Sequence, residues 1–144
     1  ALSSNCSLAA MLERSWAVCG ASSTDDGTAW LTSGQIPNFA WPSQGGGFFT
    51  ERAGRARRHS EELVRVWYSE RNFGRRDRAI ELAARLRKSP IHVALAYVLN
   101  QPFPSVPLIG PRTLGELEDS LRALDIALSP ADLEWLDGGS LHAA

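Results

Sequence analysis

The sequence predicts an α/β fold with more helix than strand, and three observations carry that reading. Short apolar runs bounded by proline and glycine, Ile36 to Trp41 and Ser105 to Ile109, have the length of strands rather than helices. Longer stretches of helical periodicity lie between and after them, and two begin with Ser-Pro, at Ser89-Pro90 and Ser129-Pro130. That pair is an N-cap followed by proline at the first helical position, where a missing N–H does no harm. The order strand, helix, strand, helix then calls for parallel strands joined by βα units.

Taken from the start, Leu2 to Leu12 reads as a short strand leading into a helical turn, because Leu8, Met11 and Leu12 share helical spacing. Cys19 to Gly34, rich in Ser, Thr, Asp and Gly, reads as loop. The strand from Ile36 is delimited by Pro37 and Pro42, and Gly45-Gly46-Gly47 ends it; such glycines more often form a flexible loop than a sharp turn or a close backbone approach to a ligand. Ser60 to Phe73 sets Leu63, Val66 and Trp67 on one helical side, and Arg75 to Lys88 does the same with Ala79, Leu82, Ala83 and Leu86. Ile91 to Asn100 is apolar almost all round, so burial on more than one side is expected. Pro102 and Pro104 stop it, and Ser105 to Ile109 is expected as a buried strand ending at Gly110. Thr113 caps the next helix with Glu116 completing a capping box, and Leu117, Leu121 and Leu124 are expected inward. The last helix points Leu133 and Leu136 inward and stops at Gly138.

The chain, 144 residues with 44% hydrophobic and 22% charged positions and a formal net charge of −1, fits a single domain over 1–144. That balance argues against a nucleic-acid or anionic-membrane partner. Arginines crowd one stretch, from Arg52 through Arg55, Arg57, Arg58, Arg65 and Arg71 to Arg75, Arg76 and Arg78; with Glu61, Glu62, Glu70 and Asp77 among them they read as a solvated face before an anion-binding patch. Cys6 and Cys19 form neither a disulfide framework nor a CxxC metal pair, so no metal and a reducing, cytoplasmic setting are expected. The opening residues lack the basic and apolar regions of a signal peptide, and no run approaches the roughly 20 apolar residues of a membrane span.

Chemistry is most legible in Leu108 to Leu121. A strand ends in Gly110, and a short turn carries Arg112 into a helix capped by Thr113. The free N–H groups and dipole of that helix start, with Arg112, can hold an anion; equally, Thr113 and Glu116 can simply cap a helix beside a solvated arginine. The run E-L-A-A-R-L-R-K-S-P-I-H-V-A-L-A-Y-V-L-N-Q-P from Glu81, followed by P-L-I-G-P-R-T-L-G-E-L-E-D-S-L-R-A-L-D-I-A-L-S-P-A-D-L-E-W-L, resembles the C-terminal region of aldo/keto reductases. Phe39 to Phe49 resembles that family's seventh strand and phosphate-contacting loop, and Leu2 to Leu8 its sixth strand.

The resemblance implies part of a (β/α)8 TIM barrel, about three parallel strands with their helices, from enzymes that reduce carbonyls with NADPH. It places an NADP(H) site on Ser43, Gln44, Gly45 and Gly47 after one strand, and on Gly110, Pro111, Arg112, Thr113, Glu116, Asp119 and Ser120 after the other. Three positions depart from the family pattern. Pro42 removes a backbone donor, Glu116 stands where Arg or Gln is common, and Ser120 replaces an Asn facing adenine; each works against tight NADP(H) binding.

The family's Tyr, Lys, Asp and His tetrad comes from its first four strands, which have no counterpart in this sequence, so the catalytic residues are unknown. Tyr97 reads as core, and His92, on a buried helix, reads as a satisfied structural histidine; His59 and His142 fall in polar stretches. Three strands cannot close a barrel, so a homo-oligomer or a complementary chain is expected, with a small-molecule ligand. The alternative is a repurposed half-barrel, binding a small molecule or working as a cyclase or isomerase. Its apolar pocket would be lined from Trp16, Trp30, Trp41, Phe48, Phe49, Trp67 and Phe73.

Overall fold

In a computed structural model the described residues are 1–12 and 25–138. Strand β1 spans Leu2–Asn5, helix α1 Asp25–Gly34 and strand β2 Asn38–Trp41. A 3-10 turn at Gly45–Gly47 follows, then α2 (Glu61–Trp67), α3 (Glu70–Leu86) and α4 (Pro90–Leu99). Strand β3 (Ser105–Pro107) leads to α5 (Leu114–Leu121), a 3-10 turn at Arg122–Asp125 and α6 (Pro130–Asp137). The three strands form one parallel sheet in the order β1-β2-β3, with Leu2 opposite Asn38 and Asn38 opposite Ser105. This is the α/β, partial-barrel architecture expected, rich in helix.

One face of the sheet is buried and the other is open. Because strand side chains alternate, Ser4, Asn38 and Ala40 enter the interior, where the Ser4 hydroxyl donates to Asn38 Oδ1 at 2.8 Å. Phe39 and Val106, opposite each other in the register, are 40% and 45% exposed. Ser105–Ile109 is therefore not the buried strand its composition suggested: Val106 and Leu108 face outward, since nothing among the described residues covers that side.

Beneath the sheet, α4 is buried continuously from His92 to Val98, as an all-round apolar helix should be. It packs against α3, whose inner side presents Phe73, Ala79, Leu82 and Ala83. Phe48, Phe49, Tyr68 and Phe73 form a run of tilted and edge-on rings with centroids 4.9–5.9 Å apart. Each such buried large side chain contributes about 1.5–3 kcal/mol.

Several expectations are corrected. Asp25–Gly34 is a helix and not loop. Its polar residues are outward, and Leu31 alone among its described positions is fully buried, so composition hid the periodicity. The stretch after β1 makes no helical turn through Leu12; Asn72 instead clasps its backbone, accepting Ala10 N–H at 2.9 Å and donating to Ala10 O at 2.7 Å. The break between the next two helices falls at Tyr68-Ser69 and not after Phe73. Ser69 is extended and accepts the Asn72 N–H, which starts a new helix there. On α5 and the 3-10 turn after it, Leu117 is half-buried while Leu121 and Leu124 are outward (50% and 65% exposed), and Ser120 and Ala123 face in. Leu86 is likewise largely exposed.

The arginine-rich stretch is not wholly a solvated face. Arg75 is buried and pairs with Asp137 at 2.6 Å. Arg76 donates to the carbonyls of Phe48, Thr50 and Ala53, and Arg78 to that of Leu136. The aromatic-pocket expectation also gives way: Phe48, Phe49, Trp67 and Phe73 are core residues, and Trp30 is 56% exposed. Trp16, Cys19 and His142 lie outside the described residues. Among the described residues no helix is long and apolar enough to cross a membrane.

Candidate functional site

The C-terminal ends of β2 and β3 converge on a cleft of about 430 Å³. Strand ends of parallel α/β sheets are where such folds hold ligands, because the connecting loops and helix starts gather there. One wall is the segment after β2. Ser43 is buried and its hydroxyl donates to Leu108 O at 2.6 Å, tying the two strand ends together. Gln44 Nε2 donates to Ser120 Oγ at 3.2 Å, closing the cleft from β2 to α5. Gly45, Gly46 and Gly47 all have positive φ, at 60°, 60° and 91°. Only glycine adopts that sequence of conformations without strain. A Cβ on Gly46 would also come within 3.2 Å of Trp67 Nε1, so the turn lies directly on the core.

The other wall is the turn after β3. Gly110, Pro111 and Arg112 line it, with Glu116, Asp119 and Ser120 from the first two turns of α5. Thr113 is the N-cap: its Oγ1 accepts the Glu116 N–H at 3.2 Å. The Glu116 carboxylate does not return to the Thr113 N–H as a strict capping box would. It reaches one residue further back and accepts the Arg112 N–H at 2.6 Å, with its other oxygen 3.7 Å from Arg112 Nη2.

Of the residues expected at a site, Ser43, Gln44, Gly47, Gly110, Pro111, Arg112, Glu116, Asp119 and Ser120 are brought together around this one cleft. Gly45 is buried in the turn behind it, and Thr113 acts on the helix start rather than lining the space. Arg52, Thr50 and Ile91 also line it and were not anticipated. Arg52 follows the glycine turn by five positions and was absorbed into the arginine-rich stretch; the glycines' folding back is what delivers it, and that signal is tertiary.

His92 stands behind the site. Its Nδ1 accepts the Ser89 N–H at 3.2 Å, which leaves Nε2 as the protonated nitrogen. Nε2 lies 3.1 Å from Asp119 Oδ1, close to the carboxylate without the alignment of a full hydrogen bond. A buried histidine thus supports an acidic residue of the cleft, consistent with a structural part.

A second, larger cleft of about 570 Å³ opens between α1, α4 and α6. Its polar wall is Arg75, Tyr97 and Asp137, in which the Tyr97 hydroxyl donates to Asp137 Oδ2 at 2.8 Å. Burial first, and then the Asp137 charge and hydrogen bond, push the Tyr97 phenol well above the usual tyrosine range. The three residues staple α3, α4 and α6 together, and a buried phenol whose proton is held by a carboxylate is a weaker acid than a free tyrosine. This cleft touches the C-terminal end of β1, at Cys6 and Ser7, and none of the residues that directly follow β2 or β3.

Comparison with known proteins agrees with the residues that carry the resemblance. Residues 32–139 match the profile of the aldo/keto reductase family. The chain is similar to a protein of Bacillus subtilis (strain 168) named "Uncharacterized oxidoreductase YrpG", 30% identical over 98 residues, 68% of this chain. The match spans 30% of that relative's length.

Proposed function

The chain belongs to the aldo/keto reductase family, and from that premise we propose that its strand-end cleft binds a nicotinamide dinucleotide for an oxidoreductase barrel. The observation that carries the reading is the single cleft to which Ser43, Gln44, Gly47, Arg112 and Ser120 all contribute, across two separate strand ends. The donor set fits such a ligand. Arg52 supplies positive charge at the cleft, Arg112 being paired with Glu116, and the positive-φ glycine turn permits a close backbone approach to phosphate.

In this reading Arg52 and the glycine turn hold the pyrophosphate, while the start of α5 receives the adenosine. Ser43 keeps the two strand ends at a fixed separation, and Gln44 and Ser120 close the cleft across its width. The chemistry the cofactor supplies when bound is hydride transfer to or from a carbonyl carbon. A proton donor for that reaction comes from outside the cleft, since Tyr97 is committed to Asp137. We place the donor on further strands, in another part of a longer protein or on a complementary chain or second copy. The uncovered sheet face of Ser3, Phe39 and Val106 supports that placement, because closing a barrel would cover it.

Titration of the chain with NADH and NADPH, followed by cofactor fluorescence, tests the reading, with Arg52→Ala as the diagnostic variant. Both cofactors share the pyrophosphate, so losing one charge-assisted contact should weaken both by about tenfold. No saturable binding of either at millimolar concentration would sink the proposal.

A further inference from the structure

We infer that the cleft prefers NAD(H) to NADP(H) and that Glu116 sets this preference; the inference rests on the dinucleotide-binding reading above. The start of α5 offers an incoming anion two attractions, its free N–H groups and the Arg112 guanidinium. Glu116 already stands on Arg112, at both its backbone N–H and its guanidinium, just before the helix start. Its Oε2 accepts the Arg112 N–H at 2.6 Å, and its Oε1 lies 3.7 Å from Arg112 Nη2. The carboxylate thus fills, from within the chain, the position a phosphate would need. Arg112 and Glu116 together carry no net formal charge, whereas a phosphate monoester brings about −1.5 to −2 at neutral pH.

To seat a 2′-phosphate, the cleft would have to expel Glu116 from its N–H and then tolerate a carboxylate beside a dianion. Asp119 adds a second carboxylate to the same wall. It is compensated only in part, with His92 Nε2 at 3.1 Å and Arg122 Nε at 3.9 Å on its Oδ1. An adenosine ribose with both hydroxyls free meets the opposite situation. Hydroxyls donate, and Glu116 lines the cleft with its side chain 46% exposed, so it can accept from them. Unrelated dinucleotide sites divide the same way: an acidic residue receives the ribose 2′-hydroxyl where the phosphate is absent, and arginine receives the phosphate where it is present. This chain has the arginine, but Glu116 stands beside it and offsets its charge.

The test is equilibrium titration of the full chain with NADH and with NADPH by fluorescence, repeated on Glu116→Gln and Glu116→Ala, with thermal unfolding to establish that both variants fold. NADH should bind about tenfold or more tighter than NADPH to the wild type, and both substitutions should tighten NADPH by about tenfold. Glutamine keeps an acceptor for the ribose hydroxyls, so NADH affinity should fall less in Glu116→Gln than in Glu116→Ala. NADPH bound more tightly than NADH by the wild type, and unchanged in both variants, overturns Glu116 as the determinant while leaving dinucleotide binding intact. Absence of binding for both cofactors in all three proteins overturns both readings together.

Discussion

Replacing Asp137 with alanine probes how a guanidinium is held in the interior. Arg75 is only 3% exposed, and its Nη2 lies 2.6 Å from Asp137 Oδ1. Nε donates to the Asp137 carbonyl at 3.4 Å, and the carboxylate also accepts the Tyr97 hydroxyl. Deleting one partner of a buried pair leaves an uncompensated charge and costs about 3–5 kcal/mol. The carboxylate itself is 45% exposed, so solvent screens part of the pair and the loss belongs at the lower end, about 3 kcal/mol. For a chain of this size that amounts to a fall of about 6–12 °C in Tm. Arg75→Met should cost less, because an apolar side chain of similar length replaces the charge instead of stranding it. The double variant Arg75→Met/Asp137→Ala should then be more stable than Asp137→Ala alone. Differential scanning calorimetry decides: an Asp137→Ala midpoint within about 1 °C of wild type, or a double variant whose losses simply add, refutes the argument.

Two further outcomes follow from the same contacts. Because Tyr97 is held protonated when folded while an unfolded tyrosine ionises near pH 10, its stabilisation is complete below about pH 10 and is lost as pH rises beyond it. Tyr97→Phe should flatten the alkaline decline of Tm, and a decline of unchanged steepness would rule out this source. Ser43→Ala leaves the Leu108 carbonyl without its 2.6 Å donor, at a cost of about 1–3 kcal/mol. Dinucleotide affinity should weaken in parallel with Tm, since the same bond sets the separation of the two strand ends; loss of stability with affinity intact would separate the two roles.

Local chemistry was readable where a residue's partner lies within one helical turn. Thr113 and Ser129 each accept the N–H three residues on, as their positions before apolar periodic runs foretold, while Ser89 precedes α4 as expected without its hydroxyl making that bond. Gly138 ends α6 with φ at 115° for the reason glycine is used at such ends. Where the local signal was weaker the reading slipped: α1 carries one fully buried residue, and Ser69 cuts a stretch whose apolar spacing runs through it.

The residues of the candidate cleft were found from the resemblance, position by position, and not from periodicity. Their meeting is another matter. Gln44 and Ser120 are separated by 76 positions and touch at 3.2 Å. The redirection of Glu116 to Arg112 could be drawn on a helical wheel, yet which donor the carboxylate chose depends on how the turn leaves β3.

By itself, then, the sequence determined the α/β class, most helix starts and stops, and the family, because capping, periodicity and ordered motifs are properties of neighbouring residues. Only the tertiary structure decided that Arg75 is an internal staple, that Arg52 joins the cleft, and that Leu121, Leu124, Phe39 and Val106 face outward. The physical reason is the same in each case. Burial and charge compensation depend on what packs against a side chain, and that partner lies dozens of residues away or, for the open sheet face, is not found among the described residues.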